Sequence, residues 1–181
     1  GTAYCNAGSC AIQSCYSSYY DVINGYSDGC ESQEDAYDQS NDGDDCWDPA
    51  DLGTVIEGTA SPLSITGNIV PHDDVDYYLV FFDDVSDAAV GCDGFSPSVS
   101  ISPDTDFRFQ VESVDCTNTQ YDYDGDDYIC DTAGLNSFTW DTTSAGECNC
   151  NIGTSCDADD FSLKIRVYRH ASGPNDDEYT L

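Results

Sequence analysis

Phe161-Ser-Leu163-Lys-Ile165-Arg-Val167 is the stretch on which the fold turns. Its apolar residues alternate strictly with Ser162, Lys164 and Arg166, the period of a β-strand with one core-facing and one wet face. Phe107-Arg-Phe109-Gln-Val111 repeats the pattern with Arg108 on the outer side. Working outward, Leu52–Ile56, Leu63–Val70, Tyr77–Phe82, Val99–Ile101 and Phe138–Trp140 are short β-branched or aromatic runs bounded by Gly, Pro, Asp or Ser, and each predicts a strand. No stretch carries helical periodicity. The class is therefore all-β, and seven to eight short strands predict a β-sandwich or jelly roll over residues 41–181. All four basic residues, Arg108, Lys164, Arg166 and Arg169, lie on or beside two of these strands. If the two strands are neighbours, their outer faces form the only positive stripe on the molecule.

Residues 1–40 have a different texture, rich in Cys, Ser, Tyr and Gly and poor in aliphatic side chains. A segment of that kind cannot build a core and must rely on disulfides or on a neighbour. It reads as a Cys-rich N-terminal extension that would serve as an inter-subunit strand. The chain has 181 residues, enough for one domain plus such an appendage. It starts at Gly1 and contains no Met, which predicts a processed, mature protein.

Four Lys and Arg stand against 36 Asp and Glu, a formal charge of −32, which excludes nucleic acid and anionic membrane surfaces as partners. No apolar run is long enough for a membrane span. The acidic residues are 30 Asp and only 6 Glu. Asp is the residue of turns and oxygen-ligand loops, so the excess points to loops and to Ca2+. The alternative is a set of solvated turns without metal.

Three acidic clusters occupy loop positions: residues 34–45, the run Asp73-Asp74-Val-Asp76, and Asp122-Tyr-Asp124-Gly125-Asp126-Asp127. The third resembles the start of an EF-hand loop but has Gly125 at the fourth position and lacks the closing Glu. Its alternation still directs Asp122, Asp124 and Asp126 at one centre.

Eleven cysteines favour an oxidising, extracellular location. Cys148-Asn-Cys150 with Cys156 and Cys130 is an alternative zinc set, but its single-residue gap is short for zinc, and disulfides are favoured. Plausible local pairs are Cys15 with Cys30, Cys116 with Cys130, and Cys150 with Cys156. An odd count leaves at least one cysteine free, modified or bonded to another chain.

No catalytic arrangement emerges. His72 and His170 are the only histidines, no Gly-x-Ser-x-Gly elbow occurs, and His72 sits in a turn-like Pro-His-Asp-Asp run. Tyr16, Tyr19, Tyr20 and Tyr26 would form a carbohydrate-stacking platform, or else pack a poor core or an interface.

Several motifs carry a resemblance. Asp44-Asp-Cys46-Trp-Asp-Pro-Ala-Asp-Leu52-Gly53, Ile65-Thr-Gly67-Asn-Ile-Val70, Asp74-Val-Asp76-Tyr77-Tyr78-Leu-Val80 and Leu163-Lys-Ile-Arg-Val167-Tyr168 resemble, in order, the bacterial pre-peptidase C-terminal domain. That resemblance implies a secreted, non-catalytic β-sandwich that binds calcium at an acidic lead-in. It implies Glu34, Asn41, Asp42, Asp44 and Asp45 as ligands, with Asp74 and Asp76 nearby. Asp21-Val-Ile-Asn24-Gly25-Tyr-Ser-Asp28-Gly29-Cys30-Glu31 is similar to a loop of secreted myxobacterial proteins.

Two functions are consistent with this reading. The first is a calcium-stabilised structural subunit of an extracellular filament or surface assembly, joined head to tail with copies of itself through residues 1–40. The second is a calcium-dependent module that binds surface glycans or matrix.

Overall fold

The computed structural model describes residues 1–6, 8–22, 29–37, 43, 45–60, 62–71, 74–83, 98–112, 137–139, 161–170 and 177–181. Among these it holds β-strands and no helix: β1 (Thr2–Asn6), β2 (Ser9–Ser14), β3 (Tyr19–Tyr20), β4 (Ser32–Gln33), β5 (Ala50–Ile56), β6 (Thr66–Asn68), β7 (Val75–Asp83), β8 (Ser98–Ser100), β9 (Phe107–Glu112), β10 (Ser137–Thr139), β11 (Phe161–Arg169) and β12 (Glu178–Thr180). Each of the seven predicted runs meets a strand.

The alternating stretch lies at the centre of the main sheet, whose strand order is β5-β7-β11-β9. β11 runs antiparallel to both neighbours, with Ile165 opposite Tyr78 on one side and Val111 on the other. β5 joins β7 in parallel, with a register shift between Asp51 and Gly53. Gly53 has φ 93°, a left-handed conformation that suits glycine at such an irregularity.

One face of this sheet makes the core. Tyr78, Val80 and Phe82 of β7, Phe107, Phe109 and Val111 of β9, and Leu163, Ile165 and Val167 of β11 are all buried. They form one cluster with Ile69, Ile101 and Tyr179. Each fully buried side chain of this size stabilises the fold by roughly 1.5–3 kcal/mol. Tyr179 comes from β12, which pairs with β6 and is tied to Ser102 by reciprocal backbone hydrogen bonds from Thr180. β12 has no sequence signal beyond one aromatic in three residues.

Residues of the N-terminal segment pair with one another. β1 and β2 form a hairpin bridged by the Cys5–Cys10 disulfide, and β3 pairs with β4. The expected Cys15–Cys30 bond is present. Cys46 is disulfide-bonded as well. Cys116, Cys130, Cys150 and Cys156 lie outside the described residues. The disulfides fit an oxidising, extracellular environment, and among the described residues no helix is long and apolar enough to cross a membrane.

The expected positive stripe needs correction at two residues. β9 and β11 are indeed neighbours, and Arg108 pairs in register with Tyr168. Arg169, however, shares the parity of Leu163, Ile165 and Val167 and is 9% exposed on the inward side, its guanidinium over Phe107 and bonded to Ile69 O. Lys164 lies on the outer face yet is 5% exposed, because its ammonium bonds Cys46 O beside the Trp47 ring. Alternation sets the face a side chain takes; what covers that face comes from elsewhere in the chain.

Candidate functional site

Tyr16 to Asp21 and Glu34 line an open groove of about 530 Å³. The local chain builds it from a turn followed by a short strand pair. Tyr19 N bonds Tyr16 O at 3.1 Å, and Ser18 adopts φ 62° at the bend. A left-handed conformation is costly for a residue with a β-carbon, and such backbone concentrates where the chain shapes a ligand site. Tyr19 pairs with Gln33 and Tyr20 with Ser32, while Glu34 N bonds Ser18 O. The Cys15–Cys30 bond staples the two arms.

The groove presents aromatic faces and oxygen acceptors together. Tyr16 is 74% exposed and Tyr19 40% exposed. Tyr20 turns its hydroxyl to Glu34, 2.5 Å from Oε1, which fixes that carboxylate in the wall beside Asp21. Flat rings with neighbouring carboxylates and hydroxyls suit the apolar face and polar rim of a sugar.

Behind the groove, Asp35 mounts the segment on the main body. Its carboxylate accepts from Tyr37 N at 2.8 Å and from Asn68 N at 3.1 Å, while Asn68 Nδ2 donates to Gln33 O at 2.8 Å. Asn68 is 9% exposed, and its Oδ1 is buried without a hydrogen-bond partner. Gly67 is required here, since a β-carbon would lie 2.6 Å from both Asp35 Oδ2 and Tyr179 Oη. Beneath them Tyr37 meets Tyr78 edge-on at 5.5 Å.

The next layer inward is polar and buried. Tyr179 donates to Asp76 Oδ2, and its oxygen is 2.5 Å from that of Tyr78. Burial, reinforced by the Asp76 carboxyl, pushes both phenols far above their ordinary range. They stay protonated and act as hydrogen-bond donors.

The expected calcium ligands that lie among the described residues, Glu34, Asp45, Asp74 and Asp76, take different positions. Glu34 stands in the groove wall. Asp45 accepts from Trp47 N and Asp48 N at 2.7 and 3.0 Å, closing a turn. Asp74 precedes β7, its N–H bonded to Pro71 O, and Asp76 points into the core at 1% exposure. Asn41, Asp42, Asp44, Asp122, Asp124 and Asp126 lie outside the described residues. Among the described residues no three His, Cys, Asp or Glu side chains are grouped to hold a metal ion. The residues that sequence reasoning passed over are Asp35, Asn68 and Tyr179. Asp35 was hidden among its acidic neighbours, and the other two are lone polar or aromatic residues whose partners lie far away in the chain.

No family model, curated protein or solved structure matches this chain.

Proposed function

We propose that this chain is a secreted, non-catalytic carbohydrate- or matrix-binding module, a two-layer β-sandwich whose disulfide-stapled N-terminal segment carries the ligand groove. The observation that carries the reading is the pair of exposed rings, Tyr16 and Tyr19, beside Asp21 and Glu34 in one open groove. Exposed tyrosines stack on sugar at low entropic cost, and carboxylates bind its hydroxyls.

Calcium enters this proposal as a stabiliser of the junction between segment and body. Glu34, Asn41, Asp42, Asp44 and Asp45 come from the stretch that leads into β5. The buried, unpartnered Asn68 Oδ1 beside Asp35 is the kind of oxygen that a hard cation takes. The similarity of the motifs to pre-peptidase C-terminal domains supports the same reading.

A glycan array probed with the full chain at millimolar calcium and after EDTA tests it. Calcium-sensitive binding to a sugar class, lost in Tyr16→Ala and Tyr19→Ala, is the expected result. Absence of any glycan binding by the folded protein refutes it.

A second reading, a structural subunit that assembles head to tail, is favoured by β1 and β2. This hairpin is exposed along almost all of its length, Ile12 alone being half-buried. An isolated two-stranded hairpin is marginal in water and gains by packing on a neighbour. Calcium-dependent polymers in electron micrographs, abolished by deleting residues 1–14, would establish this reading over the first.

A further inference from the structure

The outer face of the main sheet holds a cation without an ion pair among the described residues. Arg166 lies between two aromatic rings, 5.4 Å from the centroid of Tyr168 on its own strand and 6.0 Å from that of Tyr77, its direct partner on β7. All three side chains are half-buried. Among the described residues Arg166 forms no ion pair, and its Nε is buried without a hydrogen bond. In a chain with 36 carboxylates and four basic side chains, a guanidinium that meets only rings is out of pattern. The other cations are engaged: Lys164 with Cys46 O, Arg169 with Ile69 O, and Arg108 with Asp104 O and Phe107 O.

Stacking uses the flat face of a guanidinium and leaves its N–H edge for a planar anion. A carboxylate matches that edge with two parallel hydrogen bonds. The rings on either side offer what a sugar needs, an apolar face to lie against. We infer that Tyr77, Arg166 and Tyr168 form a second binding site, separate from the Tyr16–Tyr19 groove, for a uronic acid residue of an acidic saccharide.

Charge selects this occupant over a second copy of the chain. A second copy would bring many carboxylates into close range of those already on this surface, whereas a short saccharide brings one charge per ring. At physiological salt the field of distant carboxylates is screened beyond about 8 Å, so the local cation governs the contact.

The test is titration of the full chain with galacturonic acid disaccharide and with the neutral galactose disaccharide, followed by calorimetry and by ring-proton NMR. Expected are shifts at Tyr77 and Tyr168, at least tenfold weaker binding of the neutral sugar, and weakening of the acidic one by added salt. Arg166→Gln should lose at least tenfold affinity for the acidic sugar, and Arg166→Lys should retain part of it. Equal binding of the two sugars, no binding of either, or shifts confined to other residues overturns the proposal. So does self-association that depends on Arg166 in sedimentation, which would make the occupant another copy. The wild-type NMR map stands as a test even if Arg166→Gln fails to fold.

Discussion

Tyr179 donates its phenol proton to the carboxyl of Asp76 across a separation of 103 residues, and both groups are buried. The bond ties β12 to β7 inside the core, where a hydrogen bond to a carboxyl with no competing water is strongest. Tyr179→Phe keeps the ring and removes the donor. It should cost roughly 1.5–3 kcal/mol in urea denaturation, because the buried Asp76 oxygen loses the Tyr179 donor. Tyr78→Phe, whose hydroxyl is 3.5 Å from that oxygen, should cost less.

The same pair sets an alkaline limit. Tyr78 and Tyr179 have folded pKa values raised above the ordinary phenol value, first by burial and then by Asp76. The folded state therefore holds these protons when the unfolded chain has released them. Their contribution to stability is intact below a pH of about 10 and is lost as pH rises beyond it, by about 1.4 kcal/mol per pH unit for each tyrosine. Urea midpoints measured from pH 8 to 11.5 should fall steeply above 10. The fall should be shallower in Tyr78→Phe and Tyr179→Phe, and an identical slope in all three proteins would contradict this account.

Gly67→Ala probes the junction. The added methyl would overlap the Asp35 carboxylate and the Tyr179 hydroxyl together, so relieving one crowds the other. A loss of roughly 1–3 kcal/mol is expected. It should be accompanied by faster amide exchange at Tyr37 and Asn68, whose N–H groups Asp35 holds.

Cys15→Ser with Cys30→Ser removes the staple of the groove, a bond with a sequence separation of 15. Loop-closure entropy puts its contribution at about 3 kcal/mol. Limited proteolysis should cut the double variant near Tyr16 to Asp21, whereas the main sheet keeps its protection. A sheet that unfolds together with the segment would show that the two parts form one cooperative unit.

Seven of the strands were legible because each has either alternation or a bounded apolar run, whereas β1 to β4 and β12 were not expected. β11 shows this best, since Leu163, Ile165 and Val167 are buried as its alternation predicts, whereas the burial of Lys164 on the outer face and of Arg169 on the inner face was not expected. Cys15–Cys30 was one of several plausible local pairs, since spacing does not fix connectivity, and Cys5–Cys10 was not singled out. The calcium ligands were expected from the acidic clusters and from the family resemblance, both of which are local patterns. Such patterns do not show that Asp45 closes a turn or that Asp76 accepts from Tyr179 in the core.

Sequence alone determined the all-β class, the central alternating strand and the cysteine-rich segment. These follow from local periodicity and composition, which any window of the chain displays. The tertiary structure decided that Asp35 and Asn68 join the segment to the body, that Tyr179 seals Asp76, and that among the described residues Arg166 meets rings and no carboxylate. Those relationships depend on register between strands more than a hundred residues apart in places, and register is an outcome of packing that no local pattern encodes.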